Sequence, residues 1–185
     1  MKVCIDPGHG KANRTWGVYD PGAISPSRNT EEATVALVYG LTLQSAFHAK
    51  NIPTFMTRVS VLDPAPLGLR VHRALVAECS HLVSIHCNSA VGALAHGTEV
   101  LYRAPQDKAL AEKLAQAVGY ALGLHVRGAV LRDDLAILKF GSGPAVLIEL
   151  GFLSNEGDRL AIIDPTKQQK VCEAIVATVT EERKR

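Results

Sequence analysis

Residues 145–155 read AVLIELGFLSN, an aliphatic run that carries a single carboxylate. Five of the six residues in 145–150 are aliphatic, which is typical of a parallel strand buried on both faces. Glu149 interrupts this run, and an ionised side chain in such a strand is costly unless a cation faces it. The simplest cation to propose is a metal ion, so other parts of the chain should supply further ligands.

Short apolar runs alternate with longer amphipathic ones along the rest of the chain, which is the pattern of an α/β domain. Strands are predicted at 2–5, 53–56, 81–85, 97–102 and 145–150, with one or two more between 125 and 140. Residues 10–30 lack periodicity and predict a long surface loop. Loops of this length inside a domain are usually functional.

Four amphipathic helices are predicted from apolar residues at helical spacing. Their apolar faces are Ala33, Ala36, Leu37 and Leu41; Leu67, Val71, Ala74 and Leu75; Leu110, Leu114, Ala117, Val118 and Ala121; and Val171, Ala174, Ile175 and Val179. Asn29 is the predicted N-cap of the first helix, with Glu32 in a capping-box relation to it. Gly123 is predicted to end the third helix, and Ser154 or Asn155 to cap a further short one.

The size and charge of the chain limit what it can be. With 185 residues, 47% of them hydrophobic, it can bury one substantial core, so residues 1–185 are predicted to form a single domain. A net charge of +2 does not require a nucleic-acid partner. No run is long enough to span a membrane, and no apolar signal-peptide region follows Lys2. Synthesis in the cytoplasm without a signal peptide is therefore expected, with any export left to another system.

Two groups of residues have more than one interpretation. The cysteines, Cys4, Cys79, Cys87 and Cys172, contain no C-x-x-C pair, and buried thiols are favoured over disulfides. Cys87 is a candidate for exposure and oxidation.

The basic cluster at 183–185 is interpreted as a solvated helix end, with weak attraction to an anionic polymer such as a cell wall as the alternative.

Three places in the chain offer metal ligands at the edges of predicted elements. His9 lies in IDPGHG (5–10), Glu32 begins a helix, and His86 lies in SIHCNS (84–89) at the end of a strand. Simpler readings remain open for two of them. A histidine at a strand exit is also compatible with a satisfied core residue, and a glutamate in a first helical turn is favoured by the helix dipole alone.

The motifs that are absent narrow the chemistry. The sequence contains no G-x-S-x-G elbow, no H-E-x-x-H helix, no P-loop and no G-x-G-x-x-G. What remains is two histidines and two glutamates near strand and helix ends, which meet at one edge of an open α/β sheet. Two histidines, one glutamate and an open fourth position make a catalytic zinc set.

Six segments, in this order, resemble the zinc-dependent N-acetylmuramoyl-L-alanine amidases of the amidase_3 family over essentially the whole chain. They are VCIDPGHG (3–10), DPGA (20–23), Glu32 before an apolar helix, SIHCNS (84–89), GTEV (97–100) and IELGFLSN (148–155). The resemblance implies a mixed, mostly parallel sheet of about six strands flanked by helices on both faces. It also favours functional roles over the simpler readings of His86 and Glu32.

The resemblance further implies that His9, Glu32 and His86 bind Zn²⁺ and that Glu149 is the catalytic acid/base. Glu32 is preferred to Glu31 because its distance to Leu37 fits the family's ligand-to-leucine spacing. The implied reaction is hydrolysis of the amide bond between the lactyl group of N-acetylmuramic acid and L-alanine. Peptidoglycan is then the partner, the cell wall the place of action, and a monomer the favoured state.

The chain also departs from the family in small ways. The loop between His9 and Asp20 is longer than usual, and Ala36 and Cys87 stand where asparagine and alanine are frequent. No inhibitory helical segment follows the strand at 97–102, which resembles an unregulated lytic enzyme of the phage endolysin kind, acting on a host cell wall. Two alternatives stay open: a zinc peptidase that cleaves within the stem peptide, and a wall-binding module without turnover.

Overall fold

The computed structural model describes residues 1–27 and 29–182, and strands and helices alternate along them. The strands are β1 (Val3–Pro7), β2 (Gly10–Lys11), β3 (Tyr19–Asp20), β4 (Thr54–Met56), β5 (His81–Asn88), β6 (Thr98–Tyr102), β7 (Val126–Leu131) and β8 (Ala145–Phe152). The helices are α1 (Glu32–His48), α2 (Leu67–Val76), α3 (Lys108–Leu122), α4 (Glu156–Ile163) and α5 (Pro165–Glu182), with short 3₁₀ turns at Pro105–Asp107 and Ala136–Leu138.

Six of the strands form one sheet in the order β4-β1-β5-β8-β6-β7. The first four are parallel, β6 runs antiparallel to β8, and β7 runs parallel to β6. The predicted single α/β domain with a mixed, mostly parallel sheet is therefore confirmed. Because β6 is reversed, its first residues lie at the same edge of the sheet as the carboxyl ends of β1, β5 and β8.

Strand β8 is buried on both faces, as the aliphatic run predicts. Val146, Ile148 and Leu150 belong to a core cluster that includes residues of α1, α3 and α5. Ala145 and Leu147 belong to a second cluster on the other face, with residues of α2 and of the 3₁₀ turn at Ala136–Leu138. Helices thus cover both faces, and Glu149 lies at the one position of β8 that is not fully buried.

The start of α1 differs from the prediction. Glu31 is the N-cap residue and makes no side-chain cap hydrogen bond, and Glu32 is already the first helical residue. The Asn29 cap is wrong, because its Oδ1 instead accepts hydrogen bonds from the Ser25 and Ser27 hydroxyl groups. The first helical amides are satisfied by the preceding loop, whose carbonyl groups at residues 21 and 23 accept from Ala33 and Glu32.

Some predicted helix faces are also wrong at single positions. Leu41, Leu67 and Leu75 are largely exposed, because α1 and α2 turn other residues inward. On α2 the buried pair is Arg70 and Ala74, so a charged residue occupies a position that hydropathy assigns to the surface.

Several smaller predictions can also be compared with the structure. Gly123 ends α3 in a left-handed conformation, and Asn155 caps α4 by accepting from the amide of Asp158, so both predictions are confirmed. Within the predicted loop at 10–30, strands β2 and β3 pair antiparallel. The basic cluster at 183–185 lies outside the described residues, and its interpretation stays a prediction.

All four cysteines are buried free thiols, so the preference over disulfides is confirmed and the predicted exposure of Cys87 is wrong. Among the described helices, none is both long enough and apolar enough to cross a lipid bilayer.

Candidate metal centre

Three of the predicted site residues lie together at the carboxyl edge of the sheet. His9 follows β1, Glu32 begins α1 and His86 lies near the end of β5, and their ligand-type atoms are within 4.8 Å of one another. The Glu32 carboxylate lies between the two rings, with Oε2 3.1 Å from His9 Nε2 and Oε1 2.8 Å from His86 Nδ1. Two nitrogens and a carboxylate at this spacing can hold one metal ion.

Backbone donors and the two imidazoles stabilise the charged form of Glu32. The amides of Ala23 and Cys87 donate to its two oxygens at 2.7 and 3.0 Å. Burial alone would raise the pKa of Glu32, but the hydrogen bonds from His86 and His9 outweigh burial and hold this pKa well below its usual range. Glu32 is therefore ionised, buried and in need of a cation.

His86 shows the complementary shift. Burial lowers the pKa of its imidazole, whereas the hydrogen bond and negative charge of Glu32 raise it, and the net direction is upward. The pocket around the two rings thus favours positive charge, whether carried by a proton or by a metal ion.

A carboxylate outside the cluster orients His9. Asp20 Oδ2 lies 3.1 Å from His9 Nδ1, and the same oxygen accepts from Asn13 Nδ2 at 2.7 Å. Since a carboxylate only accepts, the Asp20 contact places a proton on Nδ1, and Nε2, which faces Glu32, is the nitrogen that a metal ion would bind in place of a proton. The sequence analysis did not assign Asp20 to this role. The signal that could have identified Asp20 was its place in the DPGA segment.

Asp6 instead forms part of a buried scaffold below the site. Its carboxylate accepts from Arg70 Nη1 at 2.8 Å, Thr57 Oγ1 at 2.6 Å and Ser84 Oγ at 2.7 Å. Burial raises the pKa of Asp6, but the Arg70 charge and these hydrogen bonds outweigh it, so the net shift is downward. Asp6 thereby joins β1 to β5 and to α2.

The backbone that presents His9 is in an unusual conformation. His9 has a φ of 57°, a left-handed value that costs free energy for a residue with a Cβ atom. Two buried arginines hold the carbonyl groups around it: Arg70 Nη2 donates to the carbonyl of His9 at 2.7 Å, and Arg58 Nη2 to that of Gly8 at 2.7 Å. These arginines were not predicted as site residues, because hydropathy assigns arginine to the surface.

Two glycines allow the side chains of the cluster to approach the backbone closely. A Cβ atom at Gly8 would overlap the His86 ring, and one at Gly22 would overlap Glu32 Oε2 and the His9 ring. Gly22 also has a φ of 67°, which disfavours any other residue.

Glu149 lies beside the cluster without belonging to it. It is paired in register with His86 on the neighbouring strand β5, and an irregularity in this pairing follows directly. Its Oε2 is the one buried side-chain N or O atom of the described residues that lacks a hydrogen-bond partner. Burial, together with the negative charges of Glu32 and Glu99, raises the pKa of Glu149 to about 7. A carboxylate with this pKa exchanges protons readily at neutral pH.

A second carboxylate borders Glu149 on its other side. Glu99 lies on β6 and pairs in register with Glu149 on β8. Its carboxylate oxygens accept hydrogen bonds from Asn88 Nδ2 at 2.9 Å and from Arg127 Nε at 2.6 Å. These two donors compensate the charge of Glu99 and leave Glu149 as the carboxylate with an unused oxygen.

The site lies in a cleft with two adjoining compartments: all four side chains line one of about 460 Å³, and all but Glu32 line another of about 290 Å³. A larger groove of about 1030 Å³ lies between α1 and α5, and none of these four side chains lines it. A His-Glu-His cluster that can hold a metal ion thus lies beside a buried acid at the carboxyl edge of a mostly parallel α/β sheet, where ligands bind in folds of this class.

Comparison with known proteins identifies the family. The model of the Amidase_3 family, N-acetylmuramoyl-L-alanine amidase, matches residues 3–181. The chain therefore belongs to the Amidase_3 family, as its six segments predict.

Individual relatives agree with this assignment. The chain is 31% identical over 194 residues to an uncharacterized cell wall amidase of Bacillus anthracis, covering 96% of this chain and 34% of that protein. It is 27% identical over 177 residues to the N-acetylmuramoyl-L-alanine amidase LytC of Bacillus subtilis strain 168, covering 94% of this chain and 34% of LytC. The chain thus spans about a third of the length of these two relatives.

A solved structure shares the fold. The catalytic domain of CwlV, an N-acetylmuramoyl-L-alanine amidase from Bacillus (Paenibacillus) polymyxa var. colistinus, superposes with a TM-score of 0.86 at 30% identity. The match covers 99% of this chain and 98% of that one. The two chains therefore share a fold over nearly the full length of both.

Proposed function

We propose that this chain is a catalytic domain that hydrolyses the amide bond between the lactyl group of N-acetylmuramic acid and L-alanine in peptidoglycan. The observation that carries the proposal is Glu149, a buried acid with an unpartnered oxygen, in register with His86 of a His-Glu-His cluster. Family membership supplies the bond and the substrate.

The residues present suit a zinc ion. His9, Glu32 and His86 offer two nitrogens and one carboxylate, the donor set of catalytic zinc sites, and Asp20 fixes the ring of His9 as carboxylates do for metal-binding histidines. When bound, zinc supplies a Lewis acid that polarises a carbonyl oxygen and acidifies water.

The chain's own residues account for the proton transfers. Glu149 accepts a proton from the attacking water at its unpartnered oxygen, which a pKa near neutrality allows. The same group then donates that proton to the nitrogen of alanine, so that the leaving group departs as a neutral amine. Asn88 and Arg127 hold Glu99 away from this role by occupying both of its oxygens.

The cell wall is the proposed place of action. Strand β6 ends at Tyr102 and α3 begins at Lys108, with only a 3₁₀ turn between them, so no inhibitory segment is inserted there. This supports a lytic enzyme that lacks an inhibitory segment at this position, of the kind that phages release onto a host wall.

Identification of the products on purified peptidoglycan tests the proposal. Mass spectrometry should find stem peptides with a free alanine amine, and a zinc chelator should abolish their release. Glu149→Gln should bind zinc like the parent and be slower by ~10²–10⁴. Cleavage between two amino acids would identify a peptidase instead, and wall binding without any product would identify a binding module.

A further inference from the structure

The two compartments of the cleft meet at the candidate metal centre. Both are lined by His9, Arg14, His86 and Glu149, so the centre lies where they join. A substrate that is cleaved at this point must place its two halves in different compartments.

The walls of the two compartments differ in chemistry. The 460 Å³ compartment is lined beyond the centre mainly by polar residues and backbone, including Asp20, Asn88 and Ser89. The 290 Å³ compartment has aliphatic walls, formed by Leu67, Leu101, Leu135, Ala136, Ile137 and Leu147. A sugar, which carries hydroxyl groups around its ring, suits the polar side, whereas small apolar side chains suit the aliphatic one.

Arg132 also lines the aliphatic compartment, and its pair with Asp134 leaves one edge of its guanidinium group unused. Arg132 donates to both oxygens of Asp134 through Nε and Nη2, each at 2.8 Å, so this pair does not use Nη1. Arg132 is only about half buried, with 43% of its side chain exposed. Deeper in the compartment, the charge of Arg70 is paired with Asp6.

Arg14 adds a second guanidinium at the junction. It is 77% exposed, and its Nε is 3.5 Å from Asp20 Oδ2, an oxygen already used by His9 and Asn13. So weak a contact leaves the Arg14 side chain free to turn toward an anionic ligand.

We propose that the aliphatic compartment receives the stem peptide, the leaving half of the substrate, and that Arg132, assisted by Arg14, binds a free carboxylate of the residue after alanine. This inference rests on the proposed function. The lactyl carboxyl group is consumed in the scissile amide, so the nearest free carboxylate belongs to the peptide. A guanidinium fork matches a carboxylate in geometry and charge. Arg132 is thus a specificity-determining residue.

Two substrates that differ in one group test this inference. They are N-acetylmuramoyl-L-alanyl-D-glutamic acid γ-methylamide, whose residue after alanine carries one free carboxylate, and the D-isoglutamine γ-methylamide analogue, which has a carboxamide there and no other carboxylate on the peptide. Zinc-loaded wild-type protein should show a kcat/KM about tenfold higher for the carboxylate, the size of one charge-assisted hydrogen bond at a partly exposed site. Arg132→Gln should reduce this ratio to near one, and Arg14→Gln should reduce it in part.

The control variant is Arg73→Gln, which replaces an arginine of α2 that lines neither compartment; it should keep the wild-type ratio. Equal rates on both substrates in the wild type, or an unchanged ratio in Arg132→Gln, would overturn the inference and leave the amidase activity standing.

A binding measurement distinguishes failure of the proposed amidase function from failure of the compartment assignment. If neither substrate is hydrolysed, the proposed function fails, and the compartment is then tested by titrating the γ-methylamides of L-alanyl-D-glutamic acid and of L-alanyl-D-isoglutamine into the protein. Tighter binding of the carboxylate form, lost in Arg132→Gln, would support the compartment assignment. Equal binding of the two dipeptides would refute it.

Discussion

Glu149 is the residue whose surroundings are least favourable in the absence of a cation. Its carboxyl group lies in an aliphatic strand, one oxygen has no partner, and two other carboxylates raise its pKa. Groups of this kind are usually maintained for function at a cost in stability.

This cost is measurable in metal-free protein. The pKa of Glu149 is raised from 4.5 to about 7, so its contribution to folding is fully present below pH 4.5 and is lost as pH rises toward 7. Glu149→Gln cannot ionise. Relative to wild type, its free energy of unfolding should therefore increase across this range, by on the order of 2–3 kcal/mol.

Urea unfolding of chelator-treated protein between pH 4 and 8 makes this measurement. Glu112→Gln, on the exposed face of α3, gives the baseline for losing a surface glutamate. A difference curve for Glu149→Gln that stays flat with pH would show that the carboxyl group is not destabilised by burial.

At the residue scale, the candidate metal ligands could be chosen from the sequence, whereas most of the residues that support them could not. His9, Glu32 and His86 lie together in the structure. They could be predicted because ligand-type residues at the ends of strands and helices are recognisable in a sequence. Arg58 and Arg70 act through contacts between distant segments, which no local pattern encodes, whereas the place of Asp20 in the DPGA segment was a signal in the sequence. Arginine is ordinarily a surface residue, and the two arginines are buried only because carbonyl groups and Asp6 surround them.

Elements position the cluster through close backbone approaches, and two glycines of one loop allow a matched test. Gly22 and Gly17 both have positive φ. A Cβ atom at Gly22 would overlap Glu32 and His9, whereas a Cβ atom at Gly17 would have no other atom within 4 Å. Both alanine variants should lose ~1–2 kcal/mol of stability from the left-handed backbone.

Only Gly22→Ala should weaken zinc binding, by ~10–100-fold, the effect typical of disturbing the support of metal ligands. Competition with a chromophoric chelator measures this affinity. Equal zinc affinities for the Gly17→Ala and Gly22→Ala variants would mean that the loop does not position the ligands.

The buried ion pair between β1 and α2 is a second structural support. Arg70→Met leaves Asp6 buried without its cation, and this should cost about 3–5 kcal/mol at pH 7. The cost should shrink in acid, where Asp6 of the variant becomes protonated. Urea midpoints check this, with Arg73→Met on the same helix as the control. Similar midpoints for the two variants would show that the pair does not stabilise the fold.

The ends of the helices were predicted with unequal success. Gly123 and Asn155 were predicted correctly because local backbone geometry alone determines these caps. The start of α1 was predicted two residues too early, with Asn29 instead of Glu31 as the cap, since loop carbonyls satisfy its first amides. The exposure of Leu41 was missed because α1 buries residues around much of its circumference, so its periodicity is weak.

At the scale of the whole molecule, the topology brings the site together. Parallel β1, β5 and β8 deliver His9, His86 and Glu149 to one edge, and reversed β6 adds Glu99 there. This arrangement was predictable as a class from alternating strands and helices, and the family resemblance supplied the sheet of six strands. The reversal of β6 has no signature in the periodicity of its five residues.

The most direct test is anomalous X-ray scattering at the zinc edge from crystals of the zinc-loaded protein. We predict one peak per chain, bound by His9 Nε2, His86 Nδ1 and a Glu32 oxygen at about 2.0–2.2 Å, with Glu149 near it but not bound. A peak held by other residues, or no peak between these three side chains, would contradict the account.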